Sequence, residues 1–320
     1  MGSVKNLTVS KAVTENEMGI GVFSFTDDYS IFDYGKMPET LPGKGEALCR
    51  MAAYNFEQLG KKGIKTHFRK LVSGNEMEVN LVRVLFPQKG EVNNETKNYL
   101  VPLEVMFRNS LPSGSSVFKR LDSGQLKPSD MGLEHLPRPG EILPKPFIDV
   151  STKLEETDRY LTWHEAQELA AIEDHQLEEL KIWTKIINNF ITEKAAAVGL
   201  VHADGKVEYA ITPENKPMLV DVCGTLDENR MLFNNVHVSK QVLRDYYKTT
   251  PWYGELMAAM KSGVGKENYP KPELLPAEMK EIASNMYKSV CEAWIGEKIW
   301  GSPKIYEVVD SYLEFLEKGK

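Results

Sequence analysis

Two carboxylates on neighbouring strands are the first place where this sequence could do chemistry. Residues 204–223 read DGKVEYAITPENKPMLVDVC, two alternating stretches at 206–211 and 218–223 around a turn rich in Pro, Glu and Asn. Proline donates no ladder hydrogen bond, so this composition predicts a hairpin turn. Folding symmetrically about Glu214 and Asn215 would set Glu208 opposite Asp221, with side-chain roots about 5 Å apart. Val207, Tyr209, Ile211, Met218, Val220 and Val222 would then form an apolar face, and Lys206, Glu208, Ala210, Leu219, Asp221 and Cys223 the other. Like charges so placed repel, and a cation such as a metal ion between them would relieve the repulsion. A solvated face, or neutralisation by Lys206, explains the same pair, and a one-residue change of register removes it.

A second set of residues could hold an anion. FRNSLPSGSSVFKR at 107–120 sets Ser113, Gly114, Ser115 and Ser116 between the basic residues Arg108, Lys119 and Arg120. Small residues free backbone N–H groups for a concave nest, and guanidinium groups grip phosphate or carboxylate in pairs of bonds. A flexible turn with solvated bases is the plain alternative. TLDENR at 225–230 can bring Arg230 to the same place, and SKQVLRD at 239–245 sets Lys240 and Arg244 one helical turn apart, which a surface helix also explains. PGKG at 42–45 is not a Walker A loop, because Lys44 is followed by Gly. GIGVFS lacks the third glycine of the dinucleotide fingerprint, and HEAQE lacks the second His of a zinc protease.

These residues need elements to hold them. GVFSFT, KTHFRKLV, MEVNLVRVLF and YLVPLEVMFR read as strands in the first third of the chain, interrupted by one helix at 46–59. Residues 87–98 form a polar loop, and 109–149 are rich in Gly, Pro and Ser, which predicts loops that carry function or join lobes, with 109–130 as a mobile cover. A single long helix is expected over 163–197, opened by a capping box of Thr162 and Glu165. Helices follow at 276–294 and 303–317. Strands first and mixed elements later predict an α+β protein of two lobes, a strand-rich one over 1–108 and an α+β one over 109–320.

The net charge of −7 argues against nucleic acid as the main partner, although it leaves room for a local basic pocket. The first ten residues are polar, no run is long and apolar enough for a membrane span, and the three cysteines are scattered. A cytoplasmic protein with reduced thiols is the expectation.

Taken together, these stretches resemble the SAICAR synthetase (phosphoribosylaminoimidazole-succinocarboxamide synthase) family, and FTDDYS with the polar insertion at 87–98 looks most like its archaeal branch. DDYSIFDYGKMPETLPGKGEAL resembles the family's Ser-x-Phe-Asp segment and Gly-Lys-Gly turn, and VPLEVMFRNSLPSGSSVFKR its Val-Pro-x-Glu block ending in Gly-Ser and a basic pair. GLVHADGKVEYA and MLVDVCGTLDENR are similar to its two acidic strands, and STKLEETD and SKQVLRD match further blocks in the same order. The resemblance implies a two-lobed fold with ATP in the cleft between an N-terminal antiparallel sheet and the larger lobe. It implies ligation of L-aspartate to the carboxylate of the ribonucleotide CAIR, with ATP and Mg²⁺, through an acyl phosphate. Glu208 and Asp221 match the metal and ATP carboxylates, and Lys206, with Asp204, the CAIR end of the same strand. Arg108, Ser115 and Arg230 match the holders of the CAIR phosphate, and Asp33 lies in a further substrate segment. Lys11 matches a phosphate-covering lysine, the strands near Leu85 and Glu104 would read adenine, and Lys44 with the 113–116 turn would receive the carboxylates of aspartate.

The sequence departs from the family pattern at Ser10, Val13, Thr157 and Val222. A ligase for another ribonucleotide or amino acid, and a non-catalytic purine-nucleotide-binding relative, are the other readings. Retention of Lys206, Glu208 and Asp221 speaks against the last. The expected partners are small molecules, with neither nucleic acid nor membrane, and a homo-oligomer stays open.

Overall fold

Period-two alternation in the first eighty residues produces the sheet it predicts. In the computed structural model, which describes residues 4–318, β1 (Lys5–Lys11), β2 (Gly19–Phe25), β5 (Phe68–Ser73) and β6 (Glu76–Leu81) form an antiparallel sheet in the order β1-β2-β6-β5. Between β2 and β5 come the short pair β3 (Asp28–Ser30) and β4 (Lys36–Thr40) and helix α1 (Lys44–Lys61). Along β2 every second residue is buried, so one face covers the core and the other faces outward.

The larger sheet is built on one long strand. After β7 (Tyr99–Leu100), β8 (Leu103–Leu111), α2 (Ser116–Asp122), β9 (Glu141–Thr152), α3 (Trp163–Ala170) and α4 (Asp174–Ala197) comes β10 (Val201–Ile211). It is followed by β11 (Pro217–Val220), β12 (Asn229–Phe233) and β13 (Val236–His237), giving the order β13-β12-β10-β8-β9. The first half of β10 pairs with β12 and β8, and its second half with β11 and β7. The chain ends in α5 (Gln241–Lys248), α6 (Pro251–Ser262), α7 (Ala277–Ile295) and α8 (Ile305–Lys318). Position 108, the expected division of the chain, lies inside β8, which runs unbroken between β9 and β10 apart from a bulge near Asn109. One hydrophobic core takes residues from both parts, from Phe25 and Phe56 to Tyr209 and Trp294. Buried Asn55 of α1 ties them further, donating to the Cys223 carbonyl at 2.9 Å and accepting from the Trp294 indole at 2.8 Å.

Three expectations need correction. The run 109–149, expected to be loops, holds α2 and most of β9, which pairs with β8. The helix predicted over 163–197 is two helices. Ala171 adopts a left-handed conformation (φ 49°), and Glu173 and Gln176 form a new capping box that starts α4. The hairpin register is also shifted by one: Glu208 pairs with Val220, and Tyr209 with Leu219. The cause is a turn of residues 212–216 in which Asn215 sits at φ 58°, gripped by Gln176 at 3.0 Å and donating to Glu173 at 2.9 Å. Leu219 therefore packs into the core beside Tyr209, while Met218 and Val220 share the face of Glu208 and Ala210.

Candidate active site

Asp221 reaches the chemical face by leaving the ladder. β11 ends at Val220, and Asp221 takes φ 65°, a left-handed conformation an aspartate tolerates better than most residues. His67 backs the turn, its Nε2 donating to the Asp221 carbonyl at 3.1 Å. The predicted juxtaposition with Glu208 is thus achieved by a backbone turn and not by strand pairing. Burial first, and the Asp221 charge second, push the Glu208 carboxyl up to about 7. Burial also acts on Asp221, but Lys5, which forms an ion pair with it, then Lys153 and Lys206, leave that carboxyl below its ordinary range.

Lysines and acids alternate around the pair. Lys153, from the chain just beyond β9, lies 2.7 Å from Glu208 and 3.6 Å from Glu104. Lys206 lies 2.6 Å from Glu104, 3.4 Å from Glu228 and 3.7 Å from Glu208. Burial would lower the Lys206 ammonium, but Glu228, Glu104 and Glu208 together raise it, so it stays charged across all ordinary pH. Beyond Glu208 on the same face, Ala210, Met218 and Val220 form a buried apolar cluster with Met18, Val82 and Leu100 packed against it.

At the other end of β10 lies a cavity of about 260 Å³ lined by Arg108, Ser116, Tyr160, Asp204, Lys206, Arg230, Lys240 and Arg244, among others. Asp204 pairs across the sheet with both arginines' positions, and its carboxylate sits 3.6 Å from Arg108 and 3.4 Å from Arg230. Arg108 also donates to Ser115 at 3.4 Å, Ser116 at 3.3 Å and Tyr160 at 3.2 Å. Buried Nε of Arg108 and Nη1 of Arg230 have no partner among the described residues, which leaves guanidinium donors for a ligand. Burial and the neighbouring Arg230 charge push Arg244 down, a sign that cations are crowded here. Such a pocket suits a phosphate.

The cavity is braced from behind. His202 accepts from Thr192 at 2.9 Å through Nδ1 and donates from Nε2 to Asn229 at 3.0 Å, and Asn109 exchanges amide bonds with Asn188 of α4. Gly205 is required in this frame. A Cβ there would lie 2.0 Å from the Asn229 side-chain oxygen and 2.6 Å from the Phe107 ring.

Of the residues singled out from sequence, Glu104, Lys206, Glu208 and Asp221 come together at the carboxylate end, and Arg108, Asp204 and Arg230 at the cavity. Ser115 caps α2 and touches the cavity only through Arg108. Lys11 is half exposed and pairs with Glu17 at 2.9 Å on the surface. Leu85 packs against the main core, and Asp33 is exposed in a left-handed turn. Lys44 departs most from its expected place. It is fully buried, 2.7 Å from Asp227 and against the Tyr287 ring, because Asp27 accepts from both Gly43 and Gly45 and fixes the Gly-Lys-Gly turn inward. Its role is to hold Asp227, whose carboxyl is lowered to about 2 by Lys44 and Lys240 against the pull of burial. Sequence reasoning did not single out Lys5, Lys153, Tyr160 or Glu228. Lys153 stands in the STKLEETD block, which offered a signal, whereas nothing local marks Lys5.

The model of the SAICAR synthetase family matches residues 11–258, more than half of the chain. The chain belongs to the SAICAR synthetase family. An Archaeoglobus fulgidus relative, provisionally named a phosphoribosylaminoimidazole-succinocarboxamide synthase, is 41% identical over 99% of this chain and 100% of its own. A Thermoplasma acidophilum synthase of that name is 34% identical over 87% of this chain and 93% of its own. Among solved structures, the Saccharomyces cerevisiae SAICAR synthase complexed with SAICAR aligns with TM-score 0.67 at 20% identity, over 94% of this chain and 95% of that one. A type-2 SAICAR synthetase in complex with ADP aligns with TM-score 0.59 at 23% identity, over 86% and 99%. At these identities the structures speak for the fold, which is the α+β fold of the family.

Proposed function

We infer how this family member works from the order of groups along β10. The chain is an ATP-dependent ligase of purine biosynthesis that joins L-aspartate to the carboxylate of CAIR, giving SAICAR, ADP and phosphate. The single observation that carries the division of labour is that Asp204, Lys206, Glu208 and Ala210 alternate along one strand face. They lead from the arginine cavity, past the carboxylates, to the apolar cluster, roughly 20 Å in all at about 3.3 Å per residue. We assign the CAIR phosphate to Arg108 and Arg230, the nucleotide phosphates to the neighbourhood of Glu208 and Asp221, and adenine to the apolar side of the strand beside Ala210, Met218 and Val220.

A carboxylate is a poor electrophile. In the proposed path a CAIR carboxylate oxygen attacks the γ-phosphorus and ADP leaves, then the aspartate amine attacks the acyl phosphate carbon and phosphate leaves. Lys206, permanently charged and between the two ends, steadies the carboxylate and the negative charge that builds on it. Two carboxylates, each already holding a lysine ammonium, fit Mg²⁺ that arrives on nucleotide phosphates, the usual mode for this ion. Bound there, Mg²⁺ would neutralise phosphate charge.

The test is ADP release by the purified protein with CAIR, with and without aspartate, with the product identified by mass. ADP release that requires both, with SAICAR formed, supports the reading. ADP binding without any turnover on CAIR and aspartate overturns it in favour of a non-catalytic relative.

A further inference from the structure

Among the described residues, Lys5 is the one cation of the carboxylate cluster that comes from the N-terminal sheet. Its strand is an edge strand that is otherwise largely exposed, yet the Lys5 side chain is only 10% exposed. It forms an ion pair with Asp221 and lies 4.8 Å from the centre of the Phe23 ring, a geometry that holds the ammonium in place. Of the groups around Asp221, Glu208 is already partnered by Lys153 and Lys206, and His67 is occupied by the Asp221 carbonyl. Lys11, at the far end of the same strand, instead pairs with Glu17 on the surface. The chain between β1 and β2 then delivers Met18 to the apolar cluster.

A nearly buried ammonium cannot lose its carboxylate partner without cost, because an unpaired charge out of water is strongly unfavourable. If a divalent cation takes Asp221, Lys5 needs another anion, and the anion that arrives with that cation is a phosphate. We propose that Lys5 is a further nucleotide-positioning residue of this chain: it holds the Asp221 carboxylate toward the cleft in the free protein and passes to a phosphate oxygen of the bound nucleotide. This rests on the placement of the nucleotide given above. Lys5 would then do two jobs in sequence, as a stand-in for the metal and as a phosphate ligand.

Calorimetric titration of ADP tests this, first with a chelator and then with Mg²⁺, on the wild-type chain, Lys5→Met and Lys5→Arg. The expected result is that Lys5→Met weakens ADP binding in Mg²⁺ about tenfold or more, the size of one charge-assisted bond, and weakens it less under the chelator, where the wild-type ammonium stays on Asp221. Lys5→Arg, which keeps the charge, should stay within a few fold of wild type. Equal affinity for wild type and Lys5→Met in Mg²⁺ overturns the proposal, as does a loss that Lys5→Arg shares in full. If Lys5→Met melts too low to titrate, Lys5→Gln is read in the same way. Failure of the wild-type chain to bind ADP at all would instead overturn the nucleotide placement.

Discussion

Glu208 is ionised at a cost, and that cost separates its role in binding from its role in folding. With its carboxyl pushed up to about 7 by burial and by Asp221, the charged form strains the ligand-free protein. Glu208→Gln keeps the shape and removes the charge. The expected outcome is a melting temperature equal to or above wild type together with loss of SAICAR formation, checked by thermal unfolding and a product assay. At the other end of β10, Arg230→Ala removes a guanidinium that lies 3.4 Å from Asp204 and has a free Nη1. It should weaken CAIR binding by ~1.5–3 kcal/mol, seen as a raised KM for CAIR with that for ATP little changed. A raised KM for ATP alone would place Arg230 in the wrong pocket.

At the level of elements, the start of α1 and the turn before β12 are locked together by a single buried ion pair. Lys44 is sealed and Asp227 accepts from both its ammonium, at 2.7 Å, and the Tyr287 hydroxyl, at 2.7 Å. Lys44→Met leaves Asp227 without its cation, which costs about 3–5 kcal/mol and should lower the urea midpoint well before it affects any single substrate constant. The run 109–130 behaves differently. It holds the short helix α2 over a small separate core of Leu111, Val117, Leu126, Met131, Leu133 and Leu143, and Arg120 moors it to Asp149 and stacks 3.7 Å from the Tyr160 ring. A segment with its own small core and few anchors can open without unfolding the rest. Trypsin should cut near exposed Lys127 in the free protein, and CAIR with a non-hydrolysable ATP analogue should slow that cut several-fold. Cleavage unchanged by the full ligand set would rule out closure of this run over the cleft.

For the whole molecule, three buried groups shape the response to acid between about pH 7 and 4. His67 and His202 are both lowered to about 4, chiefly by burial, so between pH 6.5 and 4 the unfolded chain takes up protons that the folded one refuses. Stability is therefore lost as pH falls through that window, by roughly 3 kcal/mol for each histidine. Glu208 opposes this: with its pKa raised, the folded state holds a proton that the unfolded chain releases, so acidification from about 7 to 4.5 favours folding. The wild-type chain should show a shallow net loss across this range and Glu208→Gln a steeper one, measured by urea unfolding at several pH values. Equal slopes would mean that Glu208 is ionised as readily in the folded chain as in the unfolded one.

The order of groups along β10 was legible in the amino-acid sequence, because alternation at period two dictates that Asp204, Lys206 and Glu208 share a face whatever pairs with them. The capping box at Thr162 was legible for the same reason: it follows from neighbours within four residues. What pairs with the strand was not. The register of the hairpin hangs on Asn215, whose left-handed turn is held by Gln176 and Glu173, 39 and 42 residues upstream, and no pattern within the hairpin records those bonds. The direction of Lys44 was likewise decided elsewhere, by Asp27 capping the turn and Asp227 waiting in the core. Lys5 shows the limit most plainly. Its sequence neighbours are those of an exposed edge strand, and only the packing of the N-terminal sheet against the turn at Asp221 gives its charge a partner, because an ion pair between residues 216 apart is a property of the fold and not of the local sequence.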